Sequence, residues 1–185
     1  MYIPSDDSLL LLDCVKMYSG KNALEIGVGS CIIADALLRN FEFVAGTDLD
    51  IEAIKFCKSH GTRTQLVCCN AADAIKGIFD LIVSNPPYLP ESLEQVSGKQ
   101  RSSNRDLAAD GGSSGVEVTI RFLQSAYSIM SPVGKILFVV SSLANIESLY
   151  REIKLLGLQS RTIKEKRLFY ETLSVIEISL RVADQ

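Results

Sequence analysis

Leu24-Glu25-Ile26-Gly27-Val28-Gly29-Ser30 decides how the rest of the chain is read. Residues 22–26 make a short strand that runs straight into two glycines, and residues 31–39 resume as a helix. Glycines at a strand-to-helix turn allow a tight bend and let a ligand approach backbone without meeting a Cβ. The next strand, residues 43–47, is followed by Asp48. An acid about 20 residues beyond such a turn is where ribose hydroxyls find an acceptor. Strand, glycines, helix, strand and acid together predict a site for a nucleoside-bearing cofactor.

Outward from this unit the alternation continues. Residues 5–18 read as an amphipathic helix with acids in its first turn. Asp50 caps a helix through His60, with Gly61 just past its end. Residues 66–69 and 79–84 are the third and fourth strands, and a long polar stretch covers 91–112. Ser114-x-x-Glu117 reads as a capping box that opens a helix, and Ser131-Pro132-Val133-Gly134 as the turn that ends it. Strand 135–140, helix 145–156 and strands 159–163 and 172–180 complete the order. Strands alternating with helices predict an α/β fold, with helices on both faces of a mostly parallel sheet. The last two strands have no helix between them and must form an antiparallel hairpin. The expectation is one domain over residues 1–185 around a seven-stranded sheet.

Composition narrows the function. The chain of 185 residues carries a net charge of −3, with 47% hydrophobic and 22% charged residues. An acidic chain lacks the basic face that phosphate contacts require, and the cluster Lys164, Lys166, Arg167 is too small to change that. No apolar run approaches the roughly 20 residues of a membrane span, and the N-terminus lacks a secretory signal. A soluble, cytoplasmic protein is expected. The five cysteines, Cys14, Cys31, Cys57, Cys68 and Cys69, have no C-x-x-C spacing, and His60 is the single histidine. No metal site is expected from them.

A nicotinamide cofactor would need a small residue where Ile32 stands. Asn70-Ala71, after the third strand, could hold an adenine through one polar side chain and a backbone N–H; a turn-forming Asn is the alternative, and Asp73 the reserve candidate. The fourth strand runs directly into Ser84-Asn85-Pro86-Pro87-Tyr88. Consecutive prolines fix the backbone and leave carbonyls without neighbouring N–H donors. A planar –NH2 group could then donate to the Asn85 side-chain oxygen and the Pro86 carbonyl, with Tyr88 stacked on the flat group. Orienting a planar nitrogen beside a nucleoside cofactor is what methyl transfer from S-adenosyl-L-methionine demands. Hydride transfer leaves this motif unexplained.

Asn85-Pro86-Pro87-Tyr88 with Glu25-x-Gly27-x-Gly29 resembles the class I N-P-P-Y amino-methyltransferases, which include adenine-N6 enzymes and the HemK glutamine methyltransferases. Tyr2-Ile3-Pro4-Ser5-Asp6-Asp7-Ser8-Leu9-Leu10-Leu11 is similar to the opening of the eukaryotic and archaeal HemK-like branch. Ala109-Asp110-Gly111-Gly112-x-x-Gly115 and Glu171-Thr172-Leu173-Ser174-Val175 resemble later segments of that branch. The resemblance implies a Rossmann-like class I S-adenosyl-L-methionine methyltransferase domain, with residues 1–20 covering the cofactor and 89–112 forming an acceptor-side loop. It implies Ser8, Glu25 and Gly27 toward the methionine part, Asp48 at the ribose, Asn70 at the adenine and Asn85 at the acceptor amide; Gly29, Ala71 and Asn85 are expected to contact the cofactor as well. The acceptor implied is the glutamine of the Gly-Gly-Gln motif in class 1 translation release factors. One departure stands out: the family's third loop glycine is Cys31. The resemblance also implies a small zinc-binding activator subunit, and the uncharged third strand at 66–69, expected at a sheet edge, is its candidate dock. Adenine-N6 methylation of DNA or RNA, lysine methylation and a non-catalytic cofactor-binding subunit are the competing readings.

Overall fold

The computed structural model describes residues 4–90 and 112–181. The first helix, α1 (Asp6–Val15), starts where Ser5 adopts an extended conformation and accepts the Asp6 N–H on its side chain. Its buried face carries Asp7, Leu10, Leu11 and Cys14, the i, i+3, i+4, i+7 spacing of one helical stripe. Then follow β1 (Gly20–Ile26), α2 (Ile32–Leu37), β2 (Phe41–Asp48), α3 (Ile51–Ser59), β3 (Gln65–Cys68) and β4 (Phe79–Ser84). The second half has α4 (Glu117–Tyr127), β5 (Met130–Ser141), α5 (Ile146–Leu155), β6 (Leu158–Arg167) and β7 (Thr172–Leu180).

The strands form one sheet in the order β3-β2-β1-β4-β5-β7-β6. Among the described residues only β7 runs against its neighbours, pairing antiparallel with both β5 and β6. The C-terminal hairpin is therefore present, and the other six strands point the same way. Two cores fill the two faces. Leu24, Ile82, Ile136, Phe138 and Ile176 pack under α4 and α5, among them Phe122, Leu123 and Leu149. Ala23, Leu81, Val83, Leu137 and Val175 pack under α1, α2 and α3 with Leu11, Ile33, Leu37 and Ile54. Alternate residues of each central strand thus serve opposite layers, which fixes the register and every strand's carboxyl end.

Two local expectations need correction. Ser131-Pro132-Val133-Gly134 lies inside β5, not in a turn. The pairing of β4 with β5 shifts there, from Phe79 opposite Met130 to Leu81 opposite Lys135. Such a bulge leaves Pro132 at a position where its missing N–H is not needed. Ser114 and Glu117 do meet, but α4 starts at Glu117 with Val116 as its cap. Glu117 accepts the Ser114 N–H at 3.1 Å and the hydroxyls of Ser113 and Ser114 at 2.8 and 3.0 Å. Only the backward half of the capping box forms. Burial pushes the Glu117 carboxyl up, but these bonds outweigh it and bring it down to about 2. Residues 91–111, which include most of the expected acceptor-side loop and Ala109-Asp110-Gly111, lie outside the described residues, as do Tyr2 and Ile3.

Candidate active site at the carboxyl ends of the strands

Four adjacent parallel strands, β3, β2, β1 and β4, end side by side, and the residues singled out in the sequence follow these ends. Ligands of open α/β sheets bind in this crevice. Gly27 and Gly29 adopt left-handed backbone with φ 81 and 45. The Gly27 and Val28 N–H groups both donate to the Thr47 carbonyl, at 2.8 and 3.0 Å, which closes the loop over β2. A Cβ placed on Gly27 would meet nothing within 4 Å among the described residues. Open space next to loop backbone is the cradle that a small cofactor needs.

Glu25 is the acid ahead of this loop, and only 3% of it is exposed. Its Oε2 accepts the Ala34 N–H at 2.7 Å, joining β1 to the first turn of α2. Burial pushes its carboxyl well above the ordinary value, and the charges of Asp48 and Asp35 add to the push. Asp48 uses both oxygens on backbone: Oδ2 accepts the Gly29 N–H at 2.9 Å and Oδ1 the Asp50 N–H at 2.8 Å. Each oxygen keeps a second lone pair for a ligand hydroxyl.

Thr47 is a residue the sequence reading passed over. It is fully buried, and its hydroxyl donates to the Ala71 carbonyl at 2.7 Å, so it ties the glycine loop to the turn after β3. In that turn Asn70 is exposed and donates to Asp73 at 3.2 Å, while Ala71 has φ 44. The turn-forming role of Asn70 is therefore present, and Asp73 stands beside it.

After β4, Pro86 is buried and Asn85 half-buried. Asn85 Nδ2 donates to Ser8 Oγ at 3.4 Å, while its Oδ1 is buried without a hydrogen-bond partner among the described residues. Leaving such an oxygen unpaired costs about 1–3 kcal/mol, which a ligand donor would recover. The Tyr88 ring packs against the core under α1 to α3, and its hydroxyl donates to Asp7 Oδ2 at 3.0 Å. Asp7 was not singled out in the sequence, although it occupies the first place of the apolar stripe of α1. An acid in that pattern is a buried acid, and this was the available signal. Among the described residues no group of three or more His, Cys, Asp and Glu side chains gathers as metal ligands.

Residues 5–101 match the sequence model of the methyltransferase small domain. The chain belongs to that family. Relatives named as methyltransferases align with nearly the whole chain. One is a Methanocaldococcus jannaschii protein provisionally named a protein N5-glutamine methyltransferase, 29% identical, with 95% of this chain and 90% of the relative aligned. Methyltransferase HEMK2 of Mus musculus is 29% identical over 97% of this chain and 89% of its own length. Among solved structures, a chain of the E. cuniculi Mtq2–Trm112 complex, described as responsible for methylation of the eRF1 translation termination factor, superposes with a TM-score of 0.77. It is 23% identical, with 97% of this chain and 98% of that chain covered. The methyltransferase fold seen here is thus the class I fold, with its single antiparallel strand β7 next to last in the sheet. No helix of this methyltransferase among the described residues is long and apolar enough to cross a membrane.

Proposed function

We propose that this methyltransferase transfers the methyl group of S-adenosyl-L-methionine to the side-chain nitrogen of the glutamine in the Gly-Gly-Gln motif of a class 1 translation release factor. The observation that carries the reading is the buried, unpartnered Asn85 Oδ1 at the end of β4, next to the open glycine cradle at the end of β1. A carboxamide –NH2 offers two coplanar donors. Asn85 Oδ1 accepts one and the Pro86 carbonyl the other, so the nitrogen is held with one face turned to the loop. Gly27 leaves room for the cofactor with Gly29 in the same loop, Glu25 and Ser8 line its methionine part, Asp48 receives the ribose hydroxyls, and Asn70 and Ala71 border the adenine. The bound cofactor supplies an electrophilic methyl group on a positively charged sulfur. Catalysis by the chain's own residues is then positioning, with the proton of the methylated nitrogen lost to water afterwards. The names of the relatives favour glutamine over adenine as acceptor, and so does the net charge of −3.

The same reading includes a partner. Among the described residues β3 pairs only with β2 and forms the sheet edge, with Leu66 and Val67 half-buried and Cys68 exposed. The edge has no charge or proline to discourage pairing. A small zinc-binding activator would add a strand there, making the working enzyme a cytoplasmic heterodimer.

The test is transfer of radiolabel from S-adenosyl-L-methionine to purified release factor, with and without the activator. Label on the wild-type motif and none on a Gly-Gly-Ala variant supports the proposal. Equal label on the variant, or label on duplex DNA or RNA instead, refutes it.

A further inference from the structure

We infer that Asp7 sets the direction in which the Asn85 amide faces, and so determines that an oxygen rather than an –NH2 group meets the acceptor. The inference rests on the assignment of Asn85 to an acceptor amide. Asp7 is 3% exposed and reaches both sides of this corner. Its Oδ1 accepts the Ser8 N–H at 2.5 Å and the Ser8 hydroxyl at 3.2 Å, and its Oδ2 accepts the Tyr88 hydroxyl at 3.0 Å. Both of its oxygens are thus taken up as acceptors.

The direction of each bond then follows from the one before it. At Asp7 Oδ1, which accepts, the Ser8 hydroxyl is the donor. That leaves Ser8 Oγ with lone pairs alone, so whatever approaches from the far side has to donate. Asn85 Nδ2 does so at 3.4 Å. The amide is thereby turned with its –NH2 toward α1 and its Oδ1 toward the opposite side, where it is buried and unpartnered. An amide's two ends are nearly the same size, so packing alone would hold either orientation; the polarity of the chain of hydrogen bonds chooses between them. Were the amide reversed, an –NH2 would face an –NH2 and the acceptor would lose its hydrogen bond. Asp7 is thus a positioning residue acting through Ser8, and its bond to Tyr88 clamps the same corner from the other side.

The replacement Asp7→Leu tests this, because it removes the acceptor that commits the Ser8 hydroxyl and leaves that hydroxyl able to donate to Asn85. Asp7→Asn can keep an oxygen on the Ser8 N–H and hydroxyl and should retain most of the activity. In Asp7→Leu turnover of the release factor should fall roughly a hundredfold, the size of effect seen when one donor or acceptor at the reacting group is lost. Cofactor affinity, measured by calorimetry, should hold within about threefold. In a Ser8→Ala background, where the relay is already cut, Asp7→Leu should cost no more than Tyr88→Phe does, since the Tyr88 bond is what remains at its other oxygen. A larger loss in the double variant, or full activity in Asp7→Leu, would overturn the inference. A second measurement does not depend on any acceptor or on the variant folding: in the wild-type chain, nuclear Overhauser contacts should link the Asn85 side-chain NH2 protons to the Ser8 β-protons. Their absence, with the NH2 facing the open side, also overturns it. If the wild type methylates no release factor while these contacts are present, the acceptor assignment fails and the relay stands.

Discussion

Cys31 occupies a place where a glycine would be at ease, and replacing it separates two opposing effects. Its φ is 66, and left-handed backbone costs a residue with a Cβ about 1–2 kcal/mol. It is also 2% exposed and packed in the core under α1 to α3, so its sulfur contributes burial. In Cys31→Ala the Cβ and its strain remain while the sulfur is lost, so stability should fall by about 1–2 kcal/mol. Cys31→Gly relieves the strain, but it also gives up the Cβ, about 0.8 kcal/mol of further burial, and its unfolded chain is more flexible by about 0.5–1 kcal/mol. The terms nearly cancel, so the glycine variant should lie within about 1 kcal/mol of the alanine variant, whereas at a buried site of ordinary backbone it would be about 1–2 kcal/mol less stable. For a chain of this size about 1 kcal/mol is about 2–4 °C in Tm. Thermal unfolding of the three proteins followed by circular dichroism decides it. A glycine variant less stable than the alanine variant by about 2 kcal/mol would mean that the turn before α2 does not hold Cys31 in the left-handed region, and the description of the cofactor loop would be wrong.

Asn85→Ala should abolish methyl transfer while calorimetric cofactor affinity stays nearly intact; equal loss of both would make Asn85 a turn residue instead. Asp48→Ala should weaken cofactor binding by about 1–3 kcal/mol and lower the Tm too, since two backbone N–H groups lose their acceptor; unchanged affinity would move the ribose site elsewhere. Glu25 gives a pH signature. Burial raises its carboxyl in the folded chain, so the unfolded chain ionises first and stability falls as pH climbs from the ordinary carboxylate value toward the raised one. Urea unfolding from pH 4 to 8 should show this decline in the wild type and lose it in Glu25→Gln, whose amide oxygen can still accept the Ala34 N–H; an identical slope in both refutes the assignment. Val67→Glu should stop the activator from binding in size-exclusion chromatography, and a complex that still forms would remove the dock from β3.

Most of the sheet was readable because the strands obey one rule each. Residues 79–84 form β4 with the expected limits, since a run of alternating layers must be apolar on both sides and is closed off by Asn85-Pro86-Pro87. The turn expected at Ser131–Gly134 failed because proline and glycine break strands only where the ladder needs them, and a register shift shows up in pairing, not in sequence. Of the site, Gly27, Gly29, Asp48 and Asn85 were legible as residues whose types suit their places at strand ends. Thr47 and Asp7 were not, because what matters about them is the group they tie down. Asp6 and Asp7 look alike in sequence, yet Asp6 is half-exposed and paired with Lys166 while Asp7 is buried against Tyr88.

The helix α1 that bears Asp7 and Ser8 precedes the sheet in sequence, yet several of its side-chain ties reach across to β6 and β7. Asp6 pairs with Lys166, 160 residues later, Asp13 with Lys164, 151 residues later, and the Tyr18 hydroxyl just beyond the helix donates to Glu177, 159 residues later. The Asn85 corner is thus braced from the far edge of the sheet, and a substitution in β6 or β7 has a route to it through α1.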